Sequence, residues 1–243
     1  RFVPGASCSG WNSSKRGKTI MGWWDAKRNV RVLGYTLHVD QCTIKWALAL
    51  KALQLPGDFL PLAGMPFDHA RNSAAQHCLQ HGYTHLFSLD SDVIPPPDAI
   101  LKLLATGKPF VSGLYCRRSP PWSVPVAQKN GQWLSGFKPG SLVEVDVVGA
   151  GCLLISADLL RRIPPQRPQA GKHWFDWRVD CQGVPGIDPG SCLSEDFSLC
   201  RHIKKTLGES TWLHSGVICE HVGFASATHG NYRPMDHGMY KAA

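Results

Sequence analysis

The sequence predicts an α/β domain with a largely parallel central sheet. Candidate strands and helices alternate between residues 30 and 115. Such alternation is typical of a parallel sheet, because each crossover between parallel strands is usually made by a helix. The chain has 243 residues, of which 43% are hydrophobic, and this suits a single domain with a substantial core.

The first half of this domain follows from local patterns. A Pro-Gly-Asp break at 56–58 ends the first helix, and Asp68 is expected to act as the N-cap of the second, with Gly82 just past its end. The predicted order is strand 30–37, helix 41–53, strand 58–63, helix 68–80, strand 84–89, a helix that ends near Gly107, and strand 110–115.

The second half has short strands and turns over residues 116–148. An apolar strand is then predicted over 143–155, interrupted by Gly149-Ala150-Gly151. A loop over 164–193, a helix over 195–207 and a last strand over 217–222 complete the domain, which we place at 30–224. A basic, weakly structured arm (1–29) precedes it, and a polar tail (225–243) follows it.

Charge and cysteine content suggest the surroundings of the protein. The formal net charge is +8, which favours a polyanionic partner such as nucleic acid, a membrane surface or a phosphorylated substrate. The nine cysteines are irregularly spaced, without a Cys-x-x-Cys pair. We therefore expect reduced thiols and a cytoplasmic location. No apolar run is long enough to span a bilayer.

The sharpest motif is Asp90-Ser91-Asp92, which directly follows the apolar strand 84–89. Ligands of open α/β sheets bind beyond the carboxyl ends of the strands. Two carboxylates one residue apart at such an end suit a hard cation, which in turn can bridge diphosphate oxygens. The alternative is structural, with Asp90 in a turn and Asp92 capping a helix.

The segment from Thr84 to Ile100 resembles the metal-binding segment of GT-A glycosyltransferases, in particular family 2-like enzymes of phages and bacteria. Further segments resemble the same family in the same order, so that the resemblance covers about 30–224. They are Asp68-His69-Ala70-Arg71-Asn72, Phe110 to Tyr115, Asp146 to Ile155, Ser194-Glu195-Asp196-Phe197 and Cys219-Glu220-His221-Val222-Gly223.

The resemblance implies a metal-dependent transfer of a sugar from a nucleoside diphosphate sugar, most simply a UDP-sugar, to an acceptor hydroxyl. Residues 30–115 would bind the donor, and residues 116–224 would bind the acceptor and catalyse. The implied roles are Asp196 as general base with Glu195 orienting the acceptor; Asp90, Asp92 and His221 as ligands of Mn2+ or Mg2+; Thr36, Asp68, Arg71, Asn72 and Ser91 in donor binding; and Gly149, Gly151 and Trp174 in acceptor binding.

Several of these roles have a structural alternative. Glu195 and Asp196 also suit a helix N-terminus, His221 suits a buried strand, and Arg71 suits a helix surface. The two glycines would also relieve a strand kink, and Trp174 would also pack in a core. Zinc-protease, P-loop and Rossmann-dehydrogenase patterns are absent from the sequence.

The acceptor is left open by the sequence. A hydroxymethylated base in DNA accounts for the positive charge, and basic clusters such as Arg117-Arg118 with nearby tryptophans suit nucleic-acid binding. A saccharide or a protein side chain is the alternative acceptor. The rival functions are a nucleotidyltransferase, which would release pyrophosphate, and a non-catalytic nucleic-acid-binding domain. The oligomeric state and the stereochemistry of transfer do not follow from the sequence.

Overall fold

The computed structural model describes residues 29–38, 42–118, 124–171, 173–177, 193–222, 225–228 and 231–234. The chain divides into the units Arg1–Val30 and Arg31–Ala243. Nearly all of the first unit, and with it the predicted basic arm, lies outside the described residues, as do Lys27-Arg28, Trp122 and most of the polar tail.

The second unit contains fourteen strands, five α-helices and a short 3-10 helix (Pro168–Ala170) in the part of the chain that the structure describes. In chain order they are β1 (Val32–His38), α1 (Ile44–Ala52), β2 (Gly57–Ala63), α2 (Phe67–Gln80), β3 (His85–Leu89), β4 (Val93–Ile94), α3 (Ala99–Ala105), β5 (Phe110–Leu114), β6 (Ala127–Lys129), β7 (Gln132–Trp133), β8 (Leu142–Val145), β9 (Val147–Val148), β10 (Cys152–Ser156), α4 (Ala157–Arg162), α5 (Glu195–Leu207), β11 (Thr211–Ile218), β12 (Glu220–His221), β13 (Ala225–Thr228) and β14 (Asn231–Pro234).

Seven strands form the central sheet, in the order β2-β1-β3-β10-β5-β11-β8. Strands β2, β1, β3, β5 and β11 run in one direction, whereas β10 and β8 are antiparallel to their neighbours. The predicted fold class, an α/β domain with a mostly parallel sheet flanked by helices, is therefore confirmed.

Helix α2 packs closely against this sheet because its inner face carries small residues. Ala70, Ala74, Ala75 and Cys78 are all buried in the core that includes Leu33, Tyr35 and Leu37 of β1. The small side chains bring the helix backbone near the strands, so that longer polar side chains on its first turns reach the carboxyl ends of β1 and β3.

Two smaller sheets complete the domain around the carboxyl edge of the central sheet. One has the order β14-β13-β12-β4 and the other β7-β6-β9. Pairing of β12 with β4 places His221 opposite Val93, and therefore brings it next to the Asp-x-Asp motif. Helix α5 lies against β9, which positions its acidic first turn at the same edge.

Four sequence predictions need correction. The strand predicted over 143–155 is divided into β8, β9 and β10, which pair in two different sheets. Helix α2 begins at Phe67 after Pro66, so Asp68 lies in its first turn and is not the N-cap. The last strand, predicted over 217–222, is divided between β11, which begins at Thr211, and β12. Helix α4 was not predicted, and its N-cap Ser156 accepts a hydrogen bond from the Leu159 N–H at 3.1 Å.

Among the described residues, every helix is too short or too polar to cross a bilayer.

Candidate active site

The candidate site lies at the carboxyl ends of β1, β3 and β5, where the predicted acidic residues meet. Asp90 follows β3 directly, and two backbone contacts fix the turn that carries it. The Asp90 N–H donates to the Gly151 carbonyl at 3.1 Å, and the Trp46 indole N–H donates to the Asp90 carbonyl at 2.9 Å. The main chain of the Asp-x-Asp motif is thereby attached to both α1 and the segment before β10.

A buried arginine lies at the centre of the site. Arg71 of α2 is 4% exposed, and its guanidinium contacts two carboxylates from distant parts of the chain. Its Nε donates to Glu195 Oε1 at 2.8 Å, and its Nη2 donates to Asp90 Oδ1 at 3.0 Å. The third nitrogen, Nη1, donates to Ser88 Oγ at 2.6 Å and to the Tyr35 hydroxyl at 3.3 Å.

These charges change one another's pKa. Burial alone would lower the pKa of Arg71, but Asp90, Tyr35 and Glu195 raise it well above its ordinary value. Burial raises the pKa of Glu195 to about 7, and the neighbouring Asp196 charge adds to that rise while Arg71 opposes it. The site therefore holds one carboxylic acid that titrates near neutral pH beside an arginine that stays charged.

Asp196 faces the segment between β9 and β10. Its Oδ2 accepts a hydrogen bond from the Ala150 N–H at 3.0 Å, and its Oδ1 accepts from the Phe197 N–H at 2.8 Å and from the Ser194 hydroxyl. The carboxylate is half-buried, so it is held in a fixed orientation and still reaches the solvent-accessible part of the site.

The two glycines of this segment have a packing role. A Cβ on Gly149 would lie 1.9 Å from the Tyr115 hydroxyl, and one on Gly151 would lie 2.9 Å from the same ring and from Val93. The Tyr115 hydroxyl also bonds the Gly151 N–H at 2.9 Å. Close approach of Tyr115 therefore accounts for both glycines, and their predicted contact with an acceptor stays a prediction.

Asp92 pairs with an arginine and a histidine. Arg118 Nη1 lies 2.6 Å from Asp92 Oδ2, and His221 Nε2 lies 3.5 Å from Asp92 Oδ1. Burial would raise the pKa of Asp92, but the hydrogen bond and charge of His221 and the charge of Arg118 hold it below its ordinary value. Asp92 is therefore a carboxylate at neutral pH.

The donor set fits a divalent cation in part. His221 Nδ1 bonds the Cys116 carbonyl at 2.7 Å, an arrangement that orients metal-binding histidines and leaves Nε2 for the ion. Nε2 and the Asp92 carboxylate face each other, whereas Asp90 Oδ1 is held by Arg71. Within the described ranges no three His, Cys, Asp or Glu residues are already arranged to hold an ion.

The residues assigned to donor binding have different surroundings. The hydroxyl of Thr36, 3% exposed, is the one buried side-chain polar atom without a partner among the described residues. Ser91 is half-buried between the two aspartates, and Asp68 is buried in the first turn of α2. The Asn72 side chain bonds the backbone of Trp174 and Phe175 at 2.7–3.2 Å.

These surroundings give Asn72 and Trp174 a structural role, because Asn72 fixes the loop after residue 173 and the Trp174 indole N–H donates to the Leu160 carbonyl at 2.8 Å. Their predicted ligand contacts stay predictions.

Several site residues were missed by the sequence analysis. Tyr35, Ser88 and Tyr115 hold the charged groups in place, and Arg118 was noted only as part of a basic cluster. Tyr35 of β1 and Ser88 of β3 are partners in register. Their closeness could have been predicted from the sequence once the parallel pairing of β1 and β3 was assumed.

Comparison with solved structures supports the fold. The chain is similar to A197 from STIV, with a TM-score of 0.62 and 17% identity over 85% of this chain and 95% of that chain. Weaker likenesses include a mannose-1-phosphate geranyltransferase from Thermus thermophilus (TM-score 0.41, 12% identity, 76% and 74% coverage) and an apo UDP-glucose pyrophosphorylase (0.37, 8%, 81% and 78%). No protein-family model matches the chain, and no curated protein matches it. At these identities the first likeness shows a shared fold, and the two weaker ones add nothing to it.

Proposed function

We propose that the chain transfers a sugar from a nucleoside diphosphate sugar, with UDP as the expected nucleotide, to an acceptor hydroxyl. The proposal rests on the observation that the Asp-x-Asp motif and the Glu195-Asp196 pair lie at the same sheet edge and that Arg71 bonds one carboxylate of each. Asp90 and Glu195 both bond its guanidinium, although 105 residues separate them in the sequence. A structural ion pair alone would not need Asp92, His221 and Asp196 at the same edge.

The proposed donor side consists of Asp92, His221 and Asp90, which would hold Mn2+ or Mg2+. A cation bound there supplies positive charge to the diphosphate leaving group. Thr36 would donate its otherwise unpartnered hydroxyl to the nucleotide, and Arg118 would exchange its contact with Asp92 for a phosphate oxygen, which a guanidinium binds well.

The proposed acceptor side consists of Asp196, which removes a proton from the accepting hydroxyl. Bonds from the Ala150 and Phe197 N–H groups fix the orientation of its carboxylate. Glu195 has a different part, because it is 4% exposed and bonded to Arg71. It positions Arg71, and through Arg71 it positions Asp90.

We propose that the acceptor hydroxyl belongs to a polyanionic substrate, because the net charge of the chain is +8. A hydroxymethylated base in DNA provides both the hydroxyl and the negative charge. A saccharide or protein acceptor would need the same base and the same donor side. Only the groups that contact the rest of the acceptor would differ.

Replacing Asp92 with asparagine tests the donor side. We expect the affinity for UDP in the presence of Mn2+ to fall at least about 10-fold, because loss of groups that merely support a metal ligand already costs 10–100-fold. Affinity measured with EDTA should not change. The measurement is isothermal titration calorimetry of UDP with each variant.

The matched control is Asp98→Asn, which removes an acid whose pair with Lys102 is exposed. If the wild-type, Asp92→Asn and Asp98→Asn proteins all bind UDP with the same affinity in the presence of Mn2+, the assignment of Asp92 to the metal is rejected.

A further inference from the structure

One face of α5 carries a row of one aromatic and three cationic side chains that the proposed reaction does not use. Phe197, Arg201, Lys204 and Lys205 stand at positions i, i+4, i+7 and i+8, which lie on the same side of a helix. Phe197 immediately follows Asp196, so the row begins in the same first turn of α5 as the proposed base. It ends about 12 Å further along the helix, at a rise of about 1.5 Å per residue.

The far end of this row opens into a cavity of about 330 Å³ between α5 and the sheet β7-β6-β9. Such a volume is at the small end of ligand pockets and suits a group larger than a single ion. The cavity is lined by Gln128, Gly131, Asp146, Val147, Arg201, Lys204 and Lys205.

The charge of the cavity favours an anion. Three of its lining side chains are cationic and one is acidic, so the balance is +2. The acid, Asp146, accepts a hydrogen bond from the Asn130 N–H. Glu144 stands beside the cavity, with its carboxylate 3.9 Å from the Lys204 ammonium and bonded by the Ser210 hydroxyl.

The near end of the row is aromatic. The Trp133 and Phe197 rings lie 6.2 Å apart, and the Arg117 guanidinium lies 4.6 Å above the Trp133 ring. Arg118, the next residue, pairs with Asp92. The aromatic pair is thus joined to both halves of the site, since Phe197 follows Asp196 in the chain and the residue after Arg117 pairs with Asp92.

We propose that the acceptor carries a phosphate group and that the cavity on α5 binds it. The Trp133–Phe197 pair contacts the ring unit that bears the accepting hydroxyl. This proposal rests on the proposed glycosyl transfer and names the acceptor class for it. Arginine matches phosphate oxygens as a planar fork, and the two lysines add point charge. Rings of bases stack on aromatic side chains.

Two sources supply this chemistry: a nucleic-acid strand, in which the phosphate follows the modified unit, and a small phosphorylated molecule. The test uses the full chain and two probes, a fluorescein-labelled twelve-residue oligothymidylate followed by anisotropy, and pyrophosphate as its competitor. The test variant is K204Q/K205Q, and the control is K51Q/K102Q, which removes two exposed lysines from α1 and α3.

We expect the K204Q/K205Q variant to bind the oligonucleotide at least 10-fold more weakly than the control variant. Its log–log salt slope should be shallower by about 1.4, because each phosphate of a single strand that the protein neutralises adds about 0.7 to the slope. The Trp133→Ala substitution should weaken binding of the oligonucleotide and leave binding of pyrophosphate unchanged. If pyrophosphate alone depends on Lys204 and Lys205, the site binds a small phosphorylated acceptor.

Equal binding by the two double-lysine variants, or no binding of either probe to the wild type, would overturn the proposal. Thermal melting of both variants checks that the fold is retained. Release of UDP from UDP-sugars by the wild type is a separate readout. If no UDP is released, glycosyl transfer is rejected. The measured dependence of phosphate binding on Lys204 and Lys205 then still stands.

Discussion

Asp196→Asn is expected to slow the release of nucleoside diphosphate from the donor by about a hundred- to ten-thousand-fold, the usual contribution of a general base. In this assay water is the acceptor, so Asp196 must remove a proton from water in place of the acceptor hydroxyl. Affinity for UDP with Mn2+ should remain within about twofold of wild type, because Asp196 is not among the proposed donor or metal contacts. The measurement combines a UDP-release assay with calorimetry.

Two controls separate chemistry from structure in this experiment. Asn has one accepting oxygen where Asp196 uses two, so thermal melting must show that the variant is folded at the assay temperature. Asp158→Asn changes an exposed acid in the first turn of α4 and should keep the wild-type rate. A folded Asp196→Asn protein with the wild-type rate would reduce Asp196 to a charge at the start of α5.

Arg71→Met should destabilise the protein by about 3–5 kcal/mol, because removing one partner of a buried ion pair leaves the other charges uncompensated. Here the uncompensated groups are Asp90 and Glu195. The free energy of unfolding, measured with urea, reports the loss directly.

The loss should also depend on pH. The pKa of Glu195 is raised by burial and by Asp196 to about 7, above its ordinary value. The folded protein therefore keeps a proton that the unfolded chain releases, and its stability falls as the pH rises through that interval. Without Arg71 the pKa of Glu195 rises further, so the destabilisation should be greater at pH 8 than at pH 6.

The control is Arg162→Met, which removes an exposed arginine paired with Asp158 and Glu209 and should leave stability nearly unchanged. Equal unfolding midpoints for Arg71→Met and Arg162→Met would contradict the view that Arg71 holds the site together.

The predictable parts of this molecule are those with local signals. Helix α5 has the bounds predicted for it, Glu195 to Leu207, because an acidic first turn and a following glycine mark its ends. Strand β3 and the acidic residues that follow it were also predictable, because a short apolar run ends directly before the Asp-x-Asp motif. The alternating order of the first half was enough to predict the fold class.

The parts that were missed depend on distant contacts. In β11 the buried positions Thr211 and Ser215 are polar, so the period-two apolar signal of its first half is weak. The strand predicted over 143–155 is continuous in hydropathy, but its pieces pair with different partners. The contact of Arg71 with Glu195 spans 124 residues, and no local pattern contains such a pair.

The nature of the leaving group tests the central claim most directly. The full chain is incubated with a panel of nucleotide sugars in Mn2+, in Mg2+ or in EDTA, each with and without added pyrophosphate, and the phosphorus-containing product is identified by phosphorus NMR. The account predicts a nucleoside diphosphate, released only when a divalent cation is present and lost in the Asp92→Asn variant. Release that is unaffected by EDTA, or formation of nucleoside triphosphate from nucleotide sugar and pyrophosphate in place of diphosphate, would contradict it.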